Sequence, residues 1–411
     1  MADIRQFVKK DDRTTLLEQV SKKEVAKEGT ENQKKILPPI GKIVKRGIGI
    51  ALIMVFLLAG IHFYEKSRVY TGYDVLALTE LTESGNMTYM AYGNYILRYS
   101  MDGISCLDKN GALIWGQAYE IKNPIVDICK DYVAVAAQKE NVVYLFDRSG
   151  SQGSVTTGYP ITSISVASQG VVAVMMENNG MNYIKVYDKN GNELIGMLTF
   201  LEGNGYPIDI DLSEDGRKLA VSSIDIEENQ LENSLVFYNF SEVGQNYIEK
   251  LVGGYSKKEL GDVLIPEVAF LDNTVICAFA DSRLIFFRMK EIPELIKIVE
   301  VEREIHSVFY NEENVGIVLN DTEAGGLYLL QIYDNSGNLV RQISLEQDYK
   351  DISFTQDQVI LYNDNSVCIY SLDGNKKFEY TFEKNIILFK QIAGFRYVWV
   401  NSSSINDIRL K

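Results

Sequence analysis

The chain has 411 residues, 46% of them hydrophobic, and a formal net charge of −15. Residues 1–46 hold 12 of the 41 basic and 7 of the 56 acidic residues, a net of +5, which leaves −20 on the rest of the chain. An acidic domain of this size repels phosphate backbones, so the composition argues against nucleic-acid binding. The apolar share is sufficient for a sizeable core.

Residues 1–46 form a basic segment that we expect to be a mostly disordered cytoplasmic tail. Thr15 and Glu18 have the spacing of a helix capping box, which favours one short helix. Pro38 and Pro39 end any helix before the next segment. The composition fits both a solvated tail near anionic lipid and a docking segment for a cytoplasmic partner.

The run from Gly47 to Tyr64 is predicted to be a transmembrane helix. Its 18 residues include no charged side chain apart from His62, and at about 1.5 Å per residue they span roughly 27 Å, close to the hydrocarbon thickness of a bilayer. Lys42, Lys45 and Arg46 precede the run, so the positive-inside rule places the N-terminus in the cytoplasm. A cleaved signal peptide and a buried core helix fit the run less well.

The remaining chain is predicted to be extracytoplasmic, with a short linker at 65–73 and a repeat domain at 74–411. A tetrapeptide that begins with Asp and ends with Gly recurs after short apolar strands. In a tight turn Asp accepts backbone hydrogen bonds and Gly tolerates positive φ. The four copies are Asp108-Lys-Asn-Gly111, Asp147-Arg-Ser-Gly150, Asp188-Lys-Asn-Gly191 and Asp334-Asn-Ser-Gly337.

Weaker copies of the same unit fill the gaps between these turns. The equivalent positions are Asp108, Asp147, Asp188, Asn239, Arg288, Asp334 and Ser371, separated by 37 to 51 residues. This period is typical of the four-stranded blades of a β-propeller. Complete blades are predicted at about 87–119, 125–157, 161–200, 207–252, 264–301, 305–345 and 350–383.

The last segment, 386–411, supplies only three strands, while the strand at 75–81 has no blade of its own. Pairing that strand with the last three would complete an eighth blade and close the ring without a long open edge. The sequence therefore predicts an all-β propeller of eight four-stranded blades, with seven as the alternative, preceded by one transmembrane helix.

Two segments resemble known propeller repeats. Pro207 to Val221, with its Ser-Glu-Asp-Gly turn, resembles TolB-like and WD40-like propellers, and Gly103 to Trp115 resembles the quinoprotein-like repeat. Over residues 40–411 the chain resembles a family of uncharacterised bacterial proteins with a basic tail, a single span and a quinoprotein-like propeller. The resemblance implies this architecture and does not imply an activity.

Candidate catalytic groups are few. His306 is the only histidine in the propeller and is expected on an innermost strand in a structural or channel-lining role; no Gly-x-Ser-x-Gly elbow accompanies it. Asp209 and Asp211 share one face of a strand and have the chemistry to hold a hard cation, although acidic residues beside this turn are ordinary in propellers. We therefore predict no catalytic, cofactor or metal residue.

Tryptophan and cysteine are the two other residue types that bear on cofactor or redox chemistry. Quinone-dependent propellers often carry an adjacent cysteine pair, which this chain lacks, and only Trp115 and Trp399 are available for stacking. The four cysteines (Cys106, Cys129, Cys277 and Cys368) are far apart in apolar runs, which favours free thiols and leaves one disulfide open.

Two acidic insertions lengthen blades and are the candidate interaction loops. The first carries Asp225, Glu227 and Glu228, and the second carries Asp321 and Glu323. Such loops are usually solvated, but they are also where a propeller presents a binding surface.

The leading hypothesis is a noncatalytic scaffold, anchored to the cell membrane by its single helix, that binds a protein or polymer of the bacterial cell envelope. One alternative is a single-span receptor that couples the propeller to a cytoplasmic partner. Another is a cofactor-binding, quinoprotein-like enzyme.

Overall fold

The computed structural model describes residues 48–57, 60, 68–81, 86–200, 205–227, 230–321 and 326–411. The chain divides into two compact units, Met1–Lys66 and Ser67–Lys411.

In the first unit, residues 48–57 are α-helical. The other positions of the predicted transmembrane helix, apart from residue 60, lie outside the described residues, as does the tail at 1–46. Within the described ranges, no helix is both long and apolar enough to cross a membrane.

The second unit is a β-propeller of eight antiparallel four-stranded sheets, which confirms the predicted fold and blade count. Blades 1 to 4 contain β2 (Thr88–Tyr92), β3 (Tyr95–Tyr99), β4 (Gly103–Leu107), β5 (Leu113–Ala118); β6 (Pro124–Cys129), β7 (Tyr132–Ala137), β8 (Val142–Asp147), β9 (Gly150–Thr156); β10 (Ile161–Val166), β11 (Val172–Asn178), β12 (Met181–Tyr187), β13 (Glu193–Phe200); and β14 (Tyr206–Leu212), β15 (Lys218–Glu227), β16 (Gln230–Asn239), β17 (Leu251–Tyr255).

Blades 5 to 7 contain β18 (Glu267–Phe270), β19 (Val275–Phe279), β20 (Arg283–Met289), β21 (Pro293–Glu300); β22 (Ile305–Tyr310), β23 (Asn314–Asn320), β24 (Tyr328–Asp334), β25 (Leu339–Leu345); and β26 (Asp351–Phe354), β27 (Gln358–Tyr362), β28 (Ser366–Ser371), β29 (Lys376–Thr381). Short helical segments occur only around blade 4 in the described ranges of the propeller: the 3₁₀ turns Gly244–Asn246 and Ile248–Lys250 and the α-helix Lys257–Leu260.

Blade 8 joins the two ends of the propeller. Its three inner strands are β30 (Leu388–Ala393), β31 (Arg396–Val400) and β32 (Ser404–Leu410), and its outer strand is β1 (Tyr73–Glu80), which pairs antiparallel with β32. Just before β1, Tyr70 is buried and forms a parallel bridge with Phe378 of blade 7. The stretch assigned to a linker in the sequence therefore already belongs, in part, to the packed propeller.

The two ends of the ring carry different connections. We call the turn face the end with the connections between first and second and between third and fourth strands of each blade. The loop face is the opposite end, with the connections between second and third strands and from one blade to the next. The chain reaches β1 at the turn face, beside the C-terminal residue, because Thr71 and Gly72 both donate to the Lys411 carbonyl.

The recurrent Asp-x-x-Gly turn has two structural tasks. In the first copy, Asp108 Oδ1 accepts hydrogen bonds at 2.8 Å from the backbone N–H of both Asn110 and Ala112, which fixes the turn. The glycine packs against the preceding blade. Gly337 has a φ of +74°, and a Cβ there would lie 2.8 Å from the Phe286 ring. The motif thus links each such blade to its neighbour.

The core lies between neighbouring blades. Apolar side chains from adjacent sheets pack into separate clusters, as where Phe237 of blade 4 meets Phe287 of blade 5, with 5.1 Å between ring centroids. Alternation along each strand sends side chains to both sides of a blade, so each sheet contributes to two clusters.

Candidate functional site

A cavity of about 340 Å³ lies among the innermost strands of blades 2 to 6. Innermost strands surround the axis of a propeller, so this cavity faces the axis. Its polar lining comprises Asp127, Ser165, Asp209, Asp211, Glu267 and Tyr310. The Tyr310 side chain is 41% exposed, which shows that the cavity is open to solvent.

Asp209 and Asp211 both face this cavity because they lie two positions apart on β14. Their carboxylates hold neighbouring blades together. Asp209 Oδ2 accepts a hydrogen bond from the Val268 N–H at 2.8 Å, and Asp211 Oδ2 accepts one from the Phe270 N–H at 2.7 Å. Both donors belong to β18 of blade 5.

Blade 3 is linked to its neighbours in the same way. Ser165 donates its hydroxyl to Asp211 Oδ1 at 2.8 Å and accepts the Leu212 N–H at 2.9 Å. On the other side, Asp127 Oδ2 accepts the Val166 N–H at 2.6 Å. The three aspartates of the cavity thus join the innermost strands of blades 2 to 5.

The environment of these carboxyls favours their neutral form. Burial raises the pKa of Asp211 to about 8 and that of Asp209 to about 7, against the backbone hydrogen bonds, which lower them. Nearby negative charge adds to the effect, from Asp127 on the first and from Glu267 on the second. Burial also raises the pKa values of Asp127 and Glu267.

The hydrogen bonds of Asp209 and Asp211 bear on the hypothesis that the two carboxyl groups hold a metal ion. Asp209 Oδ2 and both oxygens of Asp211 already accept hydrogen bonds from neighbouring blades. In the described part of the chain, no group of three or more His, Cys, Asp or Glu side chains is arranged to hold a metal ion.

At the turn face, three connections meet across the axis. Lys130 of blade 2 forms an ion pair with Glu312 of blade 6 and lies 3.6 Å from Glu214 of blade 4. Blades 2 and 6 are opposite each other in a ring of eight, so this ion pair crosses the axis. The Glu312 hydrogen bond raises the pKa of the Lys130 ammonium.

The first acidic insertion lies at the loop face, on the hairpin β15–β16. Each of these strands has ten residues, whereas β14 has seven and β17 has five. Pairing with β14 ends at Ile224, and pairing with β17 ends at Leu235. Asp225 and Glu227 lie on the projecting part of the hairpin, and Glu228 lies outside the described residues.

The second acidic insertion differs from expectation. Asp321 is buried rather than presented to solvent, and its Oδ1 lies 2.9 Å from Nη1 of Arg303. This pairing explains the burial, since a buried carboxylate requires a compensating partner. Glu323 lies outside the described residues.

The remaining candidate side chains take structural positions. His306 lies on the innermost strand β22 and packs on Tyr328 at 4.6 Å between ring centroids. Trp115 stacks on Phe146 of the next blade at 5.3 Å, and Trp399 Nε1 donates to the Asn385 carbonyl at 3.1 Å.

The cysteines have no disulfide partner: Cys106, Cys277 and Cys368 are buried and Cys129 is half-buried. No sequence motif marks Glu267, Tyr310 or Lys130 as part of a site, and Asp127 also lies outside the motifs. One signal was available, because Asp127 is a lone charged residue in the otherwise apolar run Pro124–Cys129.

These features define an eight-bladed β-propeller with acidic clasps along its axis. The chain belongs to the family described as "Family of unknown function (DUF5711)", whose match covers residues 66–410. No curated protein is significantly similar to it.

Solved structures share the fold. Sqt1 from Saccharomyces cerevisiae is 10% identical, with a TM-score of 0.55 over 83% of this chain and 99% of that chain. Sqt1 from Chaetomium thermophilum is 13% identical, with a TM-score of 0.54 over 82% and 98%. At these identities the likeness establishes the fold alone.

Proposed function

We propose that this protein is a noncatalytic scaffold of the bacterial cell envelope, in which the run 47–64 anchors an extracytoplasmic propeller to the membrane. The propeller binds a protein or polymer partner. The observation that carries this proposal is the projecting hairpin β15–β16 at the loop face, because it extends past the body of its own blade.

The hairpin has the composition of a binding element. Asp225, Glu227 and Glu228 provide negative charge, and Leu231 is 46% exposed close to the tip. Its base is held firmly, since Asn233 accepts the Ile265 N–H at 2.9 Å. An element with an apolar anchor and a charged rim suits recognition of a basic partner, because complementary charge steers association and limits wrong pairings.

The axial cavity supports binding over catalysis. Three of its carboxyl groups, those of Asp127, Asp209 and Asp211, accept hydrogen bonds from neighbouring blades and so hold the ring together. A general acid or base needs an atom that is free to exchange a proton with the substrate. The Asp211 and Asp209 carboxylates instead contact β18 directly.

The proposal is tested by photo-crosslinking in native membranes. A photoreactive residue replaces Leu231 in the full-length protein, and a control protein carries it at Leu339, which is 48% exposed on the outer strand of blade 6. We expect an envelope partner to be captured at position 231 and not at 339. Capture should fall when the hairpin carries Asp225→Asn, Glu227→Gln and Glu228→Gln. Equal capture at both positions contradicts the proposal.

A further inference from the structure

A second cavity lies at the turn face, which we call the turn-face cavity. Its volume is about 840 Å³, within the range of pockets that enclose small ligands. Its walls are the innermost strands of blades 1, 7 and 8 with the connections that follow them, and the corresponding connection of blade 6. Its lining differs from that of the axial cavity of blades 2 to 6, because it includes a basic side chain.

The basic side chain of the turn-face cavity is Lys390 on β30, which is only 7% exposed. Its ammonium donates to the Gly93 carbonyl at 2.6 Å and to the Tyr95 carbonyl at 2.8 Å, so it joins blade 8 to blade 1. Gly93 also lines the cavity, which places this ammonium at the cavity wall. An ammonium has three N–H donors, so the two bonds leave one donor for a further acceptor.

The positive charge of Lys390 is not balanced by the protein. Among the residues that the structure describes, no carboxylate forms an ion pair with its ammonium. Burial lowers the pKa of Lys390 to about 8, and because this value is above neutral pH, the ammonium form still predominates in neutral solution. A buried cation without an anionic partner is costly, and an anionic group of a ligand reduces that cost.

The end of the turn-face cavity at blades 6 and 7 is acidic. Glu313 belongs to the connection 311–313 of blade 6, Asp357 belongs to the connection 355–357 of blade 7, and both side chains are exposed. Lys390 instead contacts blade 1, two blades further around the ring from blade 7. Charges of opposite sign are therefore separated along the cavity.

The lining between these charges is mixed in character. Ser353 and the exposed Gln356 offer hydrogen-bonding groups, and Phe354 and Ile392 offer apolar surface. A few polar groups that fix orientation, set among apolar side chains, are typical of sites for small molecules.

We infer that the turn-face cavity binds a small ligand that carries both a carboxylate and an ammonium group, which is the chemistry of a free amino acid or a short peptide. The carboxylate of the ligand contacts Lys390, and its ammonium contacts Glu313 and Asp357. The inference goes beyond the proposed function, because the cavity lies at the turn face, away from the hairpin β15–β16 of the loop face, and does not depend on a membrane anchor.

The test is saturation-transfer NMR on the full-length protein, with alanine and trialanine as probes at millimolar concentrations. We expect saturable binding. Binding of alanine indicates a site for a free amino acid, and binding of trialanine alone indicates a site for a peptide. The N-acetylated form and the C-terminal amide of the probe that binds should each bind about tenfold more weakly, because each lacks one of the two charges.

Two variants separate the two ends of the site. Lys390→Gln keeps a donor for the backbone carbonyls but removes the charge, so it should weaken binding of the uncapped probe about tenfold and leave that of the amide unchanged. The double variant Glu313→Gln, Asp357→Asn should weaken binding of the uncapped probe to a similar extent and leave that of the acetylated form unchanged. Asp364→Asn, at a side chain that is 89% exposed on the loop face, is the control and should have no effect.

The inference is overturned if neither alanine nor trialanine binds. Wild-type affinity for the uncapped probe in Lys390→Gln or in the acidic double variant also overturns it, since the ligand would then not contact that end of the cavity. Because Glu313 and Asp357 are exposed, their double variant still tests the inference if Lys390→Gln fails to fold.

Discussion

Asp211 of blade 4 accepts a hydrogen bond from the backbone N–H of Phe270 in blade 5, with 2.7 Å between Oδ2 and N. The contact joins two innermost strands that belong to different sheets. Because burial raises the pKa of this carboxyl to about 8, the same group is both a clasp between blades and a site where protonation and stability are linked.

The first prediction concerns pH. The pKa of Asp211 in the folded protein is above its ordinary value of 3.8, so between about pH 4 and pH 8 the folded state holds a proton that the unfolded state has lost. Its contribution to stability is therefore full below pH 4 and is lost as the pH rises towards 8. Asp211→Asn should raise the free energy of unfolding at pH 9 by about 1–3 kcal/mol and change it little at pH 4.

Chemical denaturation at both pH values measures this difference. Asp211→Ala is the companion variant and should destabilise at both pH values, because it leaves the Phe270 N–H and the Ser165 hydroxyl without their acceptor. Asp364→Asn, at a side chain that is 89% exposed, is the control for a general loss of negative charge. A pH dependence unchanged by Asp211→Asn would refute the linkage.

The second prediction concerns the turn glycines. Gly337→Ala should cost about 2 kcal/mol, since it places a Cβ at positive φ against the Phe286 ring. Gly158→Ala is the control, because no atom lies within 4 Å of its Cβ position. It should change stability by less than about 0.5 kcal/mol. Similar melting temperatures for the two variants would show that the turn does not clasp the preceding blade.

The number of blades could be predicted from the sequence because it depends on hydrogen bonds within short turns. The Asp108 and Asp334 turns repeat the same hydrogen bonds, from the residues two and four positions later, and so mark the third and fourth strands of blades 1 and 6. The closing strand could be predicted for a different reason. An apolar strand at 75–81 that belongs to no blade of its own requires a neighbouring strand to pair with.

The axial site could be predicted from the sequence only in part. Alternation along β14 predicted that Asp209 and Asp211 share a face, but their partners Val268 and Phe270 are more than fifty residues away in the chain. Contacts between blades depend on how each sheet is placed around the ring, which no local pattern records. For the same reason the burial of Asp321 could not be foreseen, since it depends on Arg303 in the connection from another blade.

The third prediction compares two ion pairs. Asp321 is fully buried at its side chain and paired with Arg303, so Asp321→Ala should cost about 2 kcal/mol by removing the carboxylate from a guanidinium that is 33% exposed. Lys130→Met removes an ion pair between side chains that are 46% and 61% exposed and should cost less than about 1 kcal/mol. Thermal unfolding of both variants measures the two losses of stability. A larger effect at Lys130 would show that the contact across the axis, rather than the buried pair, stabilises the ring.

The fourth prediction concerns ring closure. A chain that begins at Ser67 should melt within a few degrees of the same propeller in the full-length protein, because it keeps β1. A chain that begins at Thr82 lacks the outer strand of blade 8 and the aromatic contacts of Tyr73, and it exposes the edge of β32. It should melt at a lower temperature and associate in solution. Light scattering after size-exclusion chromatography measures the association, and equal behaviour of the two chains would contradict the role given to β1.

The central claim is that the hairpin β15–β16 is displayed outside the cell membrane. Labelling of Leu231→Cys in intact cells with a membrane-impermeant maleimide tests it most directly, with wild type as the background for Cys129. The account predicts that the full-length protein is labelled at position 231 in intact cells to the same extent as after lysis. Labelling that occurs only after lysis would place the propeller on the cytoplasmic side and contradict the account.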